Sequence, residues 1–251
     1  MRTPSSSIPG PLIAHRGASA DAPENTLPAI ALVREMGCDW VEIDVRITRD
    51  GACVVIHDEK LNRTTNGTGP IATHTLEQLS TLDAGSHFSK EYAGTSIPSL
   101  KDAIQMCLTN DLGLVLEIKV TWGQDMENAR TVAEIVDEHW PRHNKGLLVT
   151  SFSAFGLAIF SEECAWARTG LAVLAPPADP EKVMRRIGNS AFHMNAQYVT
   201  ADDLRRTLSA GADIAIATVN DADKARAFLD MGAQGVITAH ADLLVPTSAV
   251  E

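Results

Sequence analysis

The sequence predicts a TIM (β/α)8 barrel with a small insertion after its second strand, and three observations predict it. Short β-branched or apolar runs alternate with amphipathic helical stretches along most of the chain, the mark of a parallel sheet wrapped by helices. The runs number about eight, and 251 residues is a usual length for such a barrel. Between about residues 46 and 98 the alternation lapses into a turn-rich segment containing RDG, TNGTG, DAGS and YAGT. An open doubly wound sheet is the structural rival, but no GxGxxG follows the first strand.

The expected strands are Leu12–His15, Asp39–Asp44, Leu114–Glu117, Leu147–Thr150, Thr169–Val173, Gln197–Thr200, Asp213–Thr218 and Gly235–Thr238. Amphipathic segments lie between them at Leu100–Leu108, Asn128–Trp140, Ala154–Cys164, Pro180–Ile187, Ala201–Ala210 and Asp221–Met231. Thr200 before ADDL and Asn220 before DADK have the chemistry of helix N-caps. Within EIDVRITRDGACVVIHD two β-like runs meet at Asp50-Gly51, a two-residue hairpin signal. Pairing outward from that turn sets Asp44 opposite His57.

Composition excludes several function classes. A formal net charge of −11 argues against nucleic acid as a partner, because phosphate backbones need Lys and Arg. A few local cations can still hold one small anion. The four cysteines, Cys38, Cys53, Cys107 and Cys164, are scattered without a CxxC pair, which argues against a zinc site or a disulfide framework. MRTPSSSIPGP lacks the apolar core of a signal peptide, and no apolar run approaches the roughly 20 residues needed to cross a bilayer. A cytoplasmic protein without stable membrane insertion is expected; nothing in the sequence marks an oligomer interface.

Active sites of such barrels collect at the C-terminal ends of the strands. Those ends read His15-Arg16, then Glu42 and Asp44, then Glu117 and Lys119, with His57 joining through the hairpin. Residues two apart on a strand point the same way, so each acidic or mixed pair shares a face. A lone His or Arg at one strand end is ordinarily structural, and one alternating pair of charges is ordinarily a wet strand face. Their conjunction at separate strand ends points to a site.

Three carboxylates in one space repel each other unless a cation compensates. Ligands that are all oxygen favour a hard ion, Mg²⁺ or Ca²⁺, over zinc. Arg16 and Lys119 would neutralise an anionic substrate, the guanidinium fork matching two phosphate oxygens. His15 and His57 are then the candidates for general acid and base. Together these parts describe metal-assisted attack on a phosphate ester. His74, His87, His139 and His143 read as solvated, His193 and His240 have no partner pattern, and Trp122 beyond LEIK is a candidate pocket wall.

The motifs HRG and PENT, EIDV, DG, VVIHD, RTTNGTG and LEIK closely resemble the glycerophosphodiester phosphodiesterase family, and IPSLKDAI, LLVTSF, TVND and GVIT extend the likeness from Ile13 to Leu244. The resemblance implies hydrolysis of a small-molecule glycerophosphodiester to glycerol 3-phosphate and an alcohol. It implies that His15 and His57 form the acid–base pair. Glu42, Asp44 and Glu117 would bind one divalent cation, and Arg16 and Lys119 the phosphate. Glu24 and Asn25, in PENT, would support the site. Two positions depart from the pattern: Ala217 stands where the family usually has Trp, and Ala239 where it usually has Asp. The rival readings are a phospholipase-D-like or phosphoinositide-cleaving relative, which would want an apolar rim or basic patch, and a barrel that only binds phosphoesters. The acidic chain offers no clear rim or basic patch, and binding alone needs no acid–base pair.

Overall fold

The computed structural model describes residues 8–121, 123–189 and 191–244, so Trp122 lies outside the described residues. Among these, nine strands form one sheet. The barrel strands are β1 (Leu12–His15), β2 (Trp40–Ile47), β4 (Gly113–Ile118), β5 (Leu147–Ser151), β6 (Arg168–Val173), β7 (Ala191–Asn195), β8 (Asp213–Ala217) and β9 (Gly235–Thr238). Every neighbouring pair is parallel, and β1 closes the ring by pairing with both β2 and β9. β3 (Cys53–Val55) lies outside the ring, antiparallel to β2.

Helices α1 (Leu27–Glu35), α3 (Leu100–Thr109), α4 (Asp125–His139), α5 (Ala154–Glu163), α6 (Pro180–Ile187), α7 (Ala201–Ser209) and α8 (Ala222–Asp230) return the chain between barrel strands. Their starts follow from short polar caps. Ser99, Ser153, Asp179 and Asp221 each accept a backbone N–H two or three residues into the helix, and Thr200 forms a reciprocal capping box with Asp203. Asn220 is therefore one residue early as the cap of α8. Its side chain instead accepts from Thr238 Oγ1 (3.1 Å) and the Ala239 N–H (2.9 Å).

Two apolar layers follow from strand alternation. Ile13, Val115, Leu148, Ala191, Ala215 and Ile237 fill the floor of the barrel with Ile8, while residues of opposite parity such as Val41, Leu114, Val149, Phe192 and Ile214 pack outward against the helices. All four cysteines are buried and unpaired by disulfide. Between β3 and α3 the chain adds the short helix α2 (Leu76–Ser80) and wraps a separate small core of Val54, Ile56, Leu61, Ile71, Leu79, Ala84 and Ile97.

Two expectations are corrected here. The strand expected at Gln197–Thr200 is a turn: the Tyr198 N–H donates to the Asn195 carbonyl, and Thr200 is the α7 cap. The strand is instead Ala191–Asn195, whose AFHMN buries Ala191, Phe192, His193 and Met194. The hairpin register is also shifted by one. Val45 pairs with Val55 and Ile47 with Cys53, so Asp44 stands opposite Ile56 and not His57. The Gly51 N–H bonds the Thr48 carbonyl and Gly51 is left-handed (φ 79°), which makes Arg49-Asp50-Gly51 a three-residue loop.

Candidate active site

The parity that points Ile13 into the floor points His15 into the space above it. The same rule orients Glu42 and Asp44 on β2 and Glu117, one layer above Val115, on β4. With Arg16, His57 and Lys119 these side chains line a cavity of about 160 Å³. The structure thus brings together all seven charged or imidazole residues singled out in the sequence, with Glu24 and Asn25 directly behind them.

The turn after β1 is built by two non-glycine residues in the left-handed region, Arg16 (φ 59°) and Asn25 (φ 58°), joined by the Asn25 N–H donating to the Arg16 carbonyl (2.9 Å). Such conformations cost energy outside glycine and persist where surroundings fix them. Here they direct polar atoms inward. The Arg16 N–H donates to Glu42 Oε2 (3.0 Å), and the Arg16 side chain donates to Glu24 Oε1 (2.8 Å) and lies 3.4 Å from Asp44 Oδ2. Asn25 Nδ2 donates to Asp44 Oδ2 (2.8 Å) while the Asp44 N–H returns a bond to Asn25 Oδ1 (3.1 Å). Gly17 has φ 83° and its missing Cβ would meet Ala29 at 2.7 Å, so the third letter of HRG is fixed by space as well as by backbone.

Glu42, Asp44 and Glu117 offer carboxylate oxygens that all lie within 4.8 Å of one another. Lys119 Nζ donates to Glu117 Oε1 (2.6 Å) and lies 3.1 Å from Asp44 Oδ1. Burial pushes Asp44 up, but Lys119 and Arg16 outweigh it and hold the carboxyl at about 2. Burial, then the neighbouring Asp44 and Glu117, push Glu42 well above the usual carboxylate range; burial also raises Glu117 against the pull of Lys119. Two buried carboxylates and the partly buried Glu117 crowd together with only Arg16 and Lys119 to offset them, and Arg16 is shared with Glu24, so negative charge is left in excess. The donor set is all oxygen, so these residues fit a hard divalent cation.

The imidazoles differ in their partners. Burial and Arg16 push His15 down to about 4. Burial also lowers His57, opposed by Asp44. His57 Nδ1 lies 2.7 Å from Asp58 Oδ1, and Arg63 clamps both Asp58 and Glu24 through four hydrogen bonds of 2.7–2.9 Å. Asp58 and Arg63 stand in VVIHD and RTTNGTG, and the sequence alone assigns neither a role. Their signal was the position of Asp58 directly after His57.

The opposite wall is uncharged, with Ala172 from β6, His193 and Asn195 from β7, and Ala217 from β8. The misplaced strand hid His193. Of the four histidines expected in solvent, His87 and His143 are exposed, while His74 and His139 are half-buried. His74 is held by Nδ1 against the Pro70 carbonyl (2.9 Å). Several large apolar side chains are exposed on the segments after the barrel strands, and one of them, Phe152, lines the cavity. Val120, Met126, Phe152, Phe155, Leu174 and Tyr198 are exposed on the segments that follow β4, β5, β6 and β7.

A sequence profile of the glycerophosphoryl diester phosphodiesterase family matches residues 15–243. The chain belongs to that family. As a member it is an enzyme, a phosphoric diester hydrolase. A glycerophosphodiester phosphodiesterase from Caldanaerobacter subterraneus is 28% identical over 234 residues, 93% of this chain and 96% of that one. A phosphodiesterase from Oleispira antarctica, solved with its product sn-glycerol-3-phosphate, superposes with a TM-score of 0.89 at 33% identity over 93% of this chain and 94% of that one. The glycerophosphodiester phosphodiesterase of Agrobacterium tumefaciens gives a TM-score of 0.77 at 29% identity, covering 93% and 97%.

Proposed function

We propose that this member of the family hydrolyses glycerophosphodiesters to glycerol 3-phosphate and an alcohol at the β1–β2–β4 side of the barrel mouth. The observation that carries the reading is the convergence of two imidazoles, two cations and three carboxylates on one cavity. The Oleispira relative, bound to glycerol 3-phosphate, supports the product.

Arg16 and Lys119 hold the phosphate. Arg16 Nε is buried, ion-paired with Asp44 Oδ2 at 3.4 Å and without a hydrogen bond among the described residues, and the guanidinium fork matches two phosphoryl oxygens. Glu42, Asp44 and Glu117 would hold one Mg²⁺ or Ca²⁺, which when bound stabilises negative charge on the phosphoryl oxygens. One imidazole takes a proton from the nucleophile and the other gives one to the leaving alcohol oxygen. Asp58 suits His57 to carry a proton, since the carboxylate stabilises the imidazolium, while Arg63 fixes Asp58 in place. Asn25 and Glu24 keep Asp44 and Arg16 oriented.

The test is glycerol 3-phosphate release from glycerophosphocholine and glycerophosphoethanolamine. His15→Ala and His57→Ala are each expected to lower the rate on the order of 10²–10⁴-fold. Full activity in either variant contradicts its assignment.

Phe152, exposed and lining the cavity, favours a second reading of the alcohol, since an exposed aromatic ring beside a site suits contact with apolar matter. An alcohol carrying a hydrocarbon chain would lay it along Phe152 and its neighbours. The hexyl ester of glycerol 3-phosphate should then show a KM below that of glycerophosphoethanolamine. A higher KM removes the second reading and leaves the first.

A further inference from the structure

The barrel mouth is chemically divided. β1, β2 and β4 bring its charges, whereas β6, β7 and β8 bring Ala172, Asn195 and Ala217 around one titratable side chain, His193. His193 is the middle residue of β7, below the strand's end, and is 6% exposed. Its partners in register are Ala172 on one side and Ala215 on the other, too short to cover or bond the ring.

Its Nε2 is buried and has no hydrogen-bond partner among the described residues. A buried polar atom left unmade costs stability, so a site that keeps one open has a use for it. Burial pushes the imidazole down to about 4, and it is neutral at ordinary pH. It is therefore no counter-charge for phosphate, which has Arg16 and Lys119 across the cavity. A neutral imidazole pairs well with a hydroxyl, which can both donate and accept.

We propose that His193 Nε2 hydrogen-bonds a free hydroxyl of the glycerol half of the substrate and so directs that half to the uncharged β6–β8 side of the mouth. The proposal rests on the function proposed above. Glycerol is common to all glycerophosphodiesters, and its neutral hydroxyls suit the uncharged side. The alcohol varies between substrates and would extend past Phe152, which lines the cavity and is 46% exposed. His193 is thus a specificity residue that touches substrate without moving a proton.

The experiment compares sn-glycerol 3-phosphate, propyl phosphate and inorganic phosphate as competitive inhibitors of glycerophosphoethanolamine turnover with Mg²⁺ present. The wild type should bind glycerol 3-phosphate more tightly than propyl phosphate, which lacks both hydroxyls. His193→Ala should weaken glycerol 3-phosphate about tenfold and leave the other two within about twofold, as expected for one lost hydrogen bond. His193→Gln, which keeps a donor and an acceptor, should recover part of the loss. If His193→Ala does not fold, His193→Asn, whose amide is too short to reach as far, carries the same comparison. Equal weakening of all three inhibitors, or no weakening of glycerol 3-phosphate, overturns the proposal. A wild type that neither turns over a glycerophosphodiester nor binds glycerol 3-phosphate overturns the functional reading itself. An active wild type with an indistinguishable His193→Ala overturns only the role of His193.

Discussion

At the scale of single residues, the end of β1 explains itself through what Arg16 and Asn25 hold. Both sit at positive φ, and both direct polar groups at Glu42, Asp44 or Glu24. A short apolar run that stops at His-Arg was legible in the sequence because nothing in a core asks for that pair. Asn25 entered only through the PENT resemblance, since a left-handed turn is invisible to periodicity. His193 was missed for a different reason. Its strand, AFHMN, looks weaker than the β-branched QYVT nearby, and burial of Phe192 and Met194 against the outer layer overrode propensity.

Ala217 carries a prediction at the same scale. It lines the cavity beside Asn195, its partner in register. An indole there would take space from the pocket wall. Ala217→Trp is therefore expected to lower kcat/KM for the hexyl ester and for glycerophosphoethanolamine by a similar several-fold factor, each measured by glycerol 3-phosphate release, because the glycerol half that this wall would face is common to both. A loss confined to the hexyl ester would show that this wall faces the alcohol instead.

At the scale of elements, the hairpin illustrates a limit of sequence reading. Asp50-Gly51 can close a two-residue turn or end a three-residue loop with glycine left-handed; the residues are the same and the register differs by one. His57 reaches the cavity in spite of the shift because it lies beyond the end of β3, where the chain is no longer held in the ladder. What ties this segment to the barrel is the Arg63 clamp between Asp58 and the β1–α1 turn residue Glu24.

That clamp predicts a pH dependence of stability. Hydrogen bonds from Arg63 hold Asp58 below its ordinary value; on Glu24 burial pushes up, and Arg63 together with Arg16 outweighs it. A carboxyl depressed in the fold adds stability above its unfolded pKa, about 4, and loses it as pH falls through the folded value. Arg63→Gln should therefore lower Tm at neutral pH, and the gap from wild type should narrow below about pH 4. A gap that stays constant from pH 7 to pH 3 would mean that the clamp contributes by packing alone. Arg63 is about half exposed, so the effect is screened and modest.

At the scale of the whole molecule, the barrel was legible because strand alternation and helix caps recur around it, and errors in one unit do not disturb closure by β1. The division of the mouth was not legible. It needs the relative rotation of eight strands, which places the charged ends of β1, β2 and β4 on one side and Ala172, His193 and Ala217 on the other. The net charge of −11 likewise says nothing of the local balance, in which Glu42, Asp44 and Glu117 face Arg16 and Lys119 and leave room for a divalent ion.

The central claim is that this mouth cleaves glycerophosphodiesters with a divalent cation held by the three carboxylates. Its most direct test is glycerol 3-phosphate release from glycerophosphoethanolamine by chelator-stripped enzyme, titrated with Mg²⁺ or Ca²⁺ in wild type and Glu42→Gln. The expected result is no release after stripping, recovery that saturates with added metal, and a requirement for substantially more metal in Glu42→Gln. Undiminished release by the stripped enzyme, or recovery at the same metal concentration in both proteins, would contradict it.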